Sequence, residues 1–302
     1  MFRKCFVLSA ISILWLTQGI AQNNGILPLT GLKYFKEGVW AKAIDVRIDG
    51  SSLLSNRVPL NKEIELALQD PAGFAEDKSK TVFVAAELMI VSPKGDILSK
   101  NPNVFIKNEA TGFASKDVKN LSIKFGIPAD IMKLYWNATV KIRLYDLKSK
   151  NQLRLEFPFM MTKPGEALQI SKAVKAMKLP DGSYGMINGL KAKNMLVAVD
   201  TTIKVAPKMA YTSLDISSIE GSSISGIFQG KESFWVYDNN LNEVKITDML
   251  LKQVKGAMEN NNVDYTLKIP YRLKSSPGKV YTVRFRWESS DKKQVIDVVV
   301  TI

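Results

Sequence analysis

The 302 residues contain no histidine, and the only cysteine, Cys5, lies in an apolar N-terminal stretch. Without histidine there is no Ser-His-Asp or Cys-His nucleophile, and no histidine-held zinc or haem. Once the N-terminal stretch is removed, thiolate catalysis, Fe–S clusters and cysteine-ligated zinc go as well. Paired carboxylates, a Ser–Lys dyad and oxygen-ligated metals stay open. The 29 acidic residues form no distinctive pair. Ser276-Pro-Gly-Lys279 has the spacing of a Ser-x-x-Lys nucleophile, but that motif works by opening a helix. Here Pro-Gly between two strands makes a turn. Asp238-Asn-Asn-Leu-Asn-Glu243 offers oxygen ligands without the glycine and longer spacing of a calcium loop, so it reads as a polar hairpin turn. The expectation is no catalytic residue, no metal and no cofactor.

Binding chemistry is better represented. Lys141 and Arg143 alternate with Val140, Ile142 and Leu144, so on a strand they point away from the apolar side. Arg154 lies on the next strand, Lys124 on the preceding one, and Arg284 and Arg286 repeat the pattern near the C-terminus. With Trp136 and Tyr145 nearby, such a face could hold an acidic polymer through salt-sensitive contacts to phosphate, sulfate or uronate. The candidate ligand-binding set is therefore Lys141, Arg143, Arg154, Arg284, Arg286 and Trp136. The plainer alternative is a solvated face partly balanced by Glu156 and Asp297. Formal net charge is +13, or +11 after removal of Arg3 and Lys4, which suits anionic partners without specifying one. No motif for specific nucleic-acid reading is present.

These side chains are positioned by a pattern used twice. Leu121, Ile123, Phe125 and Ile127 alternate up to Pro128; Val140 to Leu144 alternates again, and Leu153 to Phe159 follows a polar turn. Near the C-terminus, Tyr265, Leu267 and Ile269 stop at Pro270, Val283 to Trp287 follows, and Ile296 to Ile302 closes the chain. Pro128 matches Pro270 at an offset of 142, and Leu153 matches Ile296 at 143. One strand followed by a hairpin accounts for both copies. Short alternating runs at Ile44–Ile48 and Ile64–Leu68, with Thr81–Val91 nearly continuous in apolar residues, complete about seven strands in the first half. Glu166 to Lys178 has near-helical spacing, acidic first and basic last, and reads as a short helix or a strand pair. Thr247 to Glu259 reads as a second short helix. The fold expected is all-β: two tandem immunoglobulin- or fibronectin-III-like antiparallel sandwiches. The boundaries are 1–21 for a signal peptide, 22–38 for a flexible lead-in, 39–162 and 185–302 for the sandwiches, and 163–184 for a basic linker.

Arg3 and Lys4, then the apolar run to Leu16, then Gly19-Ile20-Ala21, have the layout of a cleaved leader. The apolar run falls short of the ~20 residues a spanning helix needs, so the mature chain is expected to have no transmembrane segment. A cleavage site followed directly by Gln22 resembles exported proteins of Bacteroidetes-type bacteria. The expectation is an exported protein, periplasmic, at the cell surface or secreted. It would be a non-enzymatic binding or structural module of the cell envelope, whose partner is an anionic polysaccharide, lipopolysaccharide or another envelope protein. Two-domain periplasmic pilus chaperones share this plan, but none of their residue motifs is matched. The alternative is a carboxylate-dependent glycoside hydrolase or lyase on the same scaffold.

Overall fold

Leu121, Ile123 and Phe125 alternate with polar residues or glycine, and an extended chain of that pattern buries one side. In the computed structural model this stretch is the strand Asn120–Gly126, with the three apolar side chains inside. The structure describes residues 24–171, 175–178, 183–189, 194–200, 209–219, 230–244, 252–259, 262–272 and 280–301. The leader falls outside them. Strand accounts for 56% and helix for 5%, so the class is all-β, with several antiparallel sheets.

The N-terminal half holds two large sheets. The front sheet runs Asn24–Ile26, Lys33–Glu37, Gln152–Met161, Asn137–Asp146, Val84–Val91, Ile97–Asn101, with Arg57–Val58 pairing onto Met160 and Met161. The back sheet runs Asn120–Gly126, Glu63–Gln69, Ala43–Ile48, Ser51–Leu53, Ile170–Ser171. Val46, Leu66 and Ile123 from the back share one core with Ile90, Val140, Leu155 and Phe157 from the front. Each such side chain contributes roughly 1.5–3 kcal/mol by leaving water. Much of the expected lead-in is built into the sheet: residues 24–26 and 33–37 extend the front sheet, and Leu29 and Leu32 are buried. Its apolar residues have partners to cover them, so glycine and proline here shape turns instead of loosening the chain.

A small ribbon, Thr81–Val82 with Phe113–Ala114, stands beside the sheets. The loop leading to it is tied to the hairpin turn after Asp146. The Ala75 N–H donates to Asp146 Oδ2 at 2.8 Å, and Asn151 Nδ2 donates to the Gly73 carbonyl at 2.7 Å. Asp146 is buried and also accepts from the Lys148 N–H and the Ser149 hydroxyl, so its desolvation is compensated. Gly73 has φ +96°, and a Cβ there would meet the Gly38 carbonyl, so only glycine lets the two segments approach.

The C-terminal half repeats the pairing. One sheet runs Lys175–Lys178, Tyr184–Asn188, Val295–Thr301, Thr282–Ser289, Gly230–Tyr237; the other runs Asn194–Asp200, Met209–Ile219, Asn262–Arg272, Lys252–Glu259. In both halves the strand before the hairpin belongs to one sheet and the hairpin to the other. In 166–178 the strand alternative forms, and the helix expected over 247–259 is replaced by a strand at Lys252–Glu259. Ile170–Ser171 pairs with Ser52–Leu53, Lys175–Lys178 pairs with Tyr184–Ile187, and Lys252–Glu259 pairs with the strand that follows it. A free sheet edge satisfies backbone groups as well as a helix does, and here an edge was within reach. Residues 172–174, 179–182 and 245–251 lie outside the described residues.

Candidate functional site

Arg284 and Arg286 alternate with Val283, Phe285 and Trp287, as an outward basic pair should, yet they are only 6% and 8% exposed. Asp297, fully buried, sits opposite Arg286 on the partner strand. Arg284 grips it through Nε at 3.1 Å and Nη2 at 2.7 Å, a two-point contact, while Arg286 Nη1 approaches at 3.3 Å. Residues of the N-terminal half complete the cluster. The Leu29 N–H donates to Asp297 at 2.9 Å, and Arg286 donates to the carbonyls of Leu29 and Leu54 at 3.2 and 2.6 Å. Around it Leu29 and Leu54 pack on Val295, and Ile26 and Phe35 pack on Tyr237 and Leu241. The expectation that Arg284 and Arg286 lie on a solvated face is therefore corrected: that face is covered by the first half of the chain. Burial opposes the Arg284 charge, but Asp297 outweighs it and holds the guanidinium pKa above its ordinary value. Burial pushes Tyr237 up to about 12.

Lys141, Arg143 and Arg154 do lie together, on the outer face of the front sheet, with Arg143 and Arg154 directly across from one another. Their charges are partly met. Lys141 is 3.5 Å from Glu156, Arg154 Nε donates to Glu37 at 2.8 Å, and Arg143 Nε donates to Gln152 at 2.6 Å. Arg143 lies over the Tyr145 ring and Arg154 over the Phe35 ring, at 4.6 and 4.9 Å. Exposed pairs of this kind are worth only ~0–1 kcal/mol, so an incoming anion can exchange with them. Lys124 is not on this face; it lies on the back sheet, near Glu63. Trp136 is 60% exposed but sits seven residues before Arg143, about 23 Å of extended strand away. It lines a separate cleft of about 490 Å³ with Leu60, Met161, Pro164 and Glu166.

A second cleft, of about 580 Å³, was not anticipated. Its aromatic wall is Trp40, 46% exposed, whose backbone is fixed on both sides by hydrogen bonds with Ala72 at 3.0 and 2.8 Å. Lys80, Lys116 and Lys119 line it with Asp70 and Glu76. Glu76 accepts the Ser115 hydroxyl at 2.6 Å, and Asp70 stands 3.9 Å from Lys42. In sequence these residues are spread over eighty positions, in loops with no periodic signal, so only the tied-down loop after Gly73 brings them together.

The remaining motifs have plain structural roles or lie elsewhere. Asp238 accepts the Asn240 and Asn242 N–H groups at 2.9 Å, closing a hairpin turn. Residues 276–279 lie outside the described residues. Among the described residues no group of acidic side chains is placed to hold a metal, and no helix is long and apolar enough to cross a membrane. No protein-family model matches the chain, and no curated protein matches its sequence.

Proposed function

We propose that the chain is an exported, non-enzymatic binding protein of the bacterial cell envelope, formed by two tandem sandwiches of immunoglobulin or fibronectin-III type, and that it engages an anionic polysaccharide. One observation carries this reading: Lys141, Arg143 and Arg154 share the outer side of adjacent strands, with the two guanidiniums resting on Tyr145 and Phe35. Neighbouring cations backed by rings suit an extended acidic polymer better than a compact substrate. The excess of basic residues over the whole chain adds a favourable long-range field.

The test is binding of the leaderless protein to polygalacturonate, heparin and neutral pullulan at low and high salt, with product analysis of every sample. Binding to the acidic polymers should weaken as salt rises, and the triple variant Lys141→Ala, Arg143→Ala, Arg154→Ala should bind about tenfold more weakly or worse. Equal binding of pullulan would overturn the acidic-ligand reading, and shortened polymer would replace a binding protein with a carboxylate-dependent glycosidase or lyase.

A further inference from the structure

We infer that the Trp40 cleft is a seat for a single acidic sugar residue, carboxylated, sulfated or phosphorylated, of a polymer that crosses the front sheet. The inference rests on the anionic-polysaccharide reading and gives it a specific docking point.

Three features of the cleft converge on that ligand class. The first is shape: about 580 Å³ with an exposed indole on one wall accommodates a pyranose ring, whose apolar C–H face packs on an aromatic plane. Trp40 is presented by a backbone bonded to Ala72 in both directions, and the loop between the lining residues Ala72 and Glu76 is tied down through Gly73 and Ala75, so little ordering is needed on binding.

The second feature is charge. Lys80, Lys116 and Lys119 are exposed, and their ammonium groups have no salt-bridge partner among the described residues. On the front sheet, by contrast, Lys100, Lys141 and Arg154 each have a carboxylate within reach. Uncommitted ammonium groups bordering a cavity favour an anion without a prior ion pair to break. Asp70 and Glu76 stand in the same cleft, and carboxylates there would repel a bare anion. They suit a sugar, whose hydroxyls donate to carboxylates while its acidic group turns to the lysines.

The third feature is continuity. Trp40 follows Glu37, the partner of Arg154, by three residues, a reach of about 10 Å at most. Between them Val39 donates its N–H to the Gln152 carbonyl at 3.3 Å, so the segment runs alongside the basic face. A polymer that extends from Arg143 and Arg154 past Glu37 has about 10 Å left to cover to the cleft.

The experiment compares the leaderless protein with Trp40→Ala, with the pair Lys116→Glu, Lys119→Glu, and with Trp136→Ala. Each is titrated with polygalacturonate oligomers, heparin oligomers, lipopolysaccharide and neutral malto-oligomers, and unchanged circular dichroism is required of every variant. Trp40→Ala should weaken binding of the acidic oligomers about tenfold, the double reversal should weaken it further and flatten its salt dependence, and Trp136→Ala should change nothing. Which acidic probe binds most tightly identifies the acid group. If the wild type binds an acidic oligomer and both the Trp40 and lysine variants bind it equally well, the cleft assignment is overturned while the polysaccharide reading stands. If the wild type binds no acidic probe, both fall. Should Trp40→Ala fail to fold, the charge reversal decides alone, because Lys116 and Lys119 are exposed and their removal leaves no buried group unpaired.

Discussion

Asp297 has no exposure, and two guanidiniums and the Leu29 amide converge on its oxygens. A buried ion cluster contributes little net stability over a well-packed apolar one, but removing one member strands the others. Asp297→Ala leaves Arg284 buried without a carboxylate partner, Arg286 keeping Glu288 at 2.8 Å, and should cost about 3–5 kcal/mol, read as a fall in the urea midpoint. Asp297→Asn, which keeps the shape and loses the charge, should fall between. The sequence did contain the signal that separates the two basic faces. At the offset of 143 that relates the hairpins, Arg143 corresponds to Arg286 and Arg154 to Asp297. An arginine at that point repels Arg143 and keeps the face open to water; an aspartate closes it into a neutralised cluster that can be covered. Asp297 was counted as a balancing charge on a solvated face, and its register opposite Arg286 is what turns it into the centre of a covered cluster.

Among the elements, both hairpins and the strand before each were legible as strands because alternation marks an extended chain, but in Thr282–Ser289 it did not reveal that both faces are covered. The linkers were not legible. Strands such as Ile170–Ser171 and Lys175–Lys178 are held by sheet edges that become available only in three dimensions, and near-helical spacing over a dozen residues does not reveal an edge. The same region carries a pH-sensitive tie. Glu166 lies 3.1 Å from Arg57 and 3.2 Å from Lys292, so it bridges the two halves of the chain. The Lys163 N–H, then Lys292 and Arg57, hold its carboxyl below the usual value of 4.5 against an opposing effect of burial. A depressed folded-state pKa means that the stabilisation is present above 4.5 and disappears as pH falls through the folded value. The stability difference between wild type and Glu166→Gln should therefore be visible at pH 7 and shrink progressively as pH falls below 4.5 in denaturant titrations.

At the scale of the molecule, the contact between the halves combines apolar packing with buried polar bonds, unlike the wet contact of loosely tethered domains. Leu29 and Leu54 are 4% and 3% exposed and lie in it. Calorimetry of the wild type should show one transition. Replacing Leu29 and Leu54 together with Ala removes contacts worth about 2–5 kcal/mol each and should divide it into two, while persistence of a single peak would mean that the halves are coupled elsewhere. All-β character with antiparallel pairing could be read in advance, because it arises from local alternation. The Trp40 cleft could not, because it is assembled from loops.

The bond from the Leu29 amide to Asp297 spans 268 positions and joins the turn after Asn24–Ile26 to the strand Val295–Thr301. Leu29 and Leu54 are covered by Val295, so removing the strand Val295–Thr301 would strip both the salt-bridging carboxylate and the apolar cover from that flank of the first half.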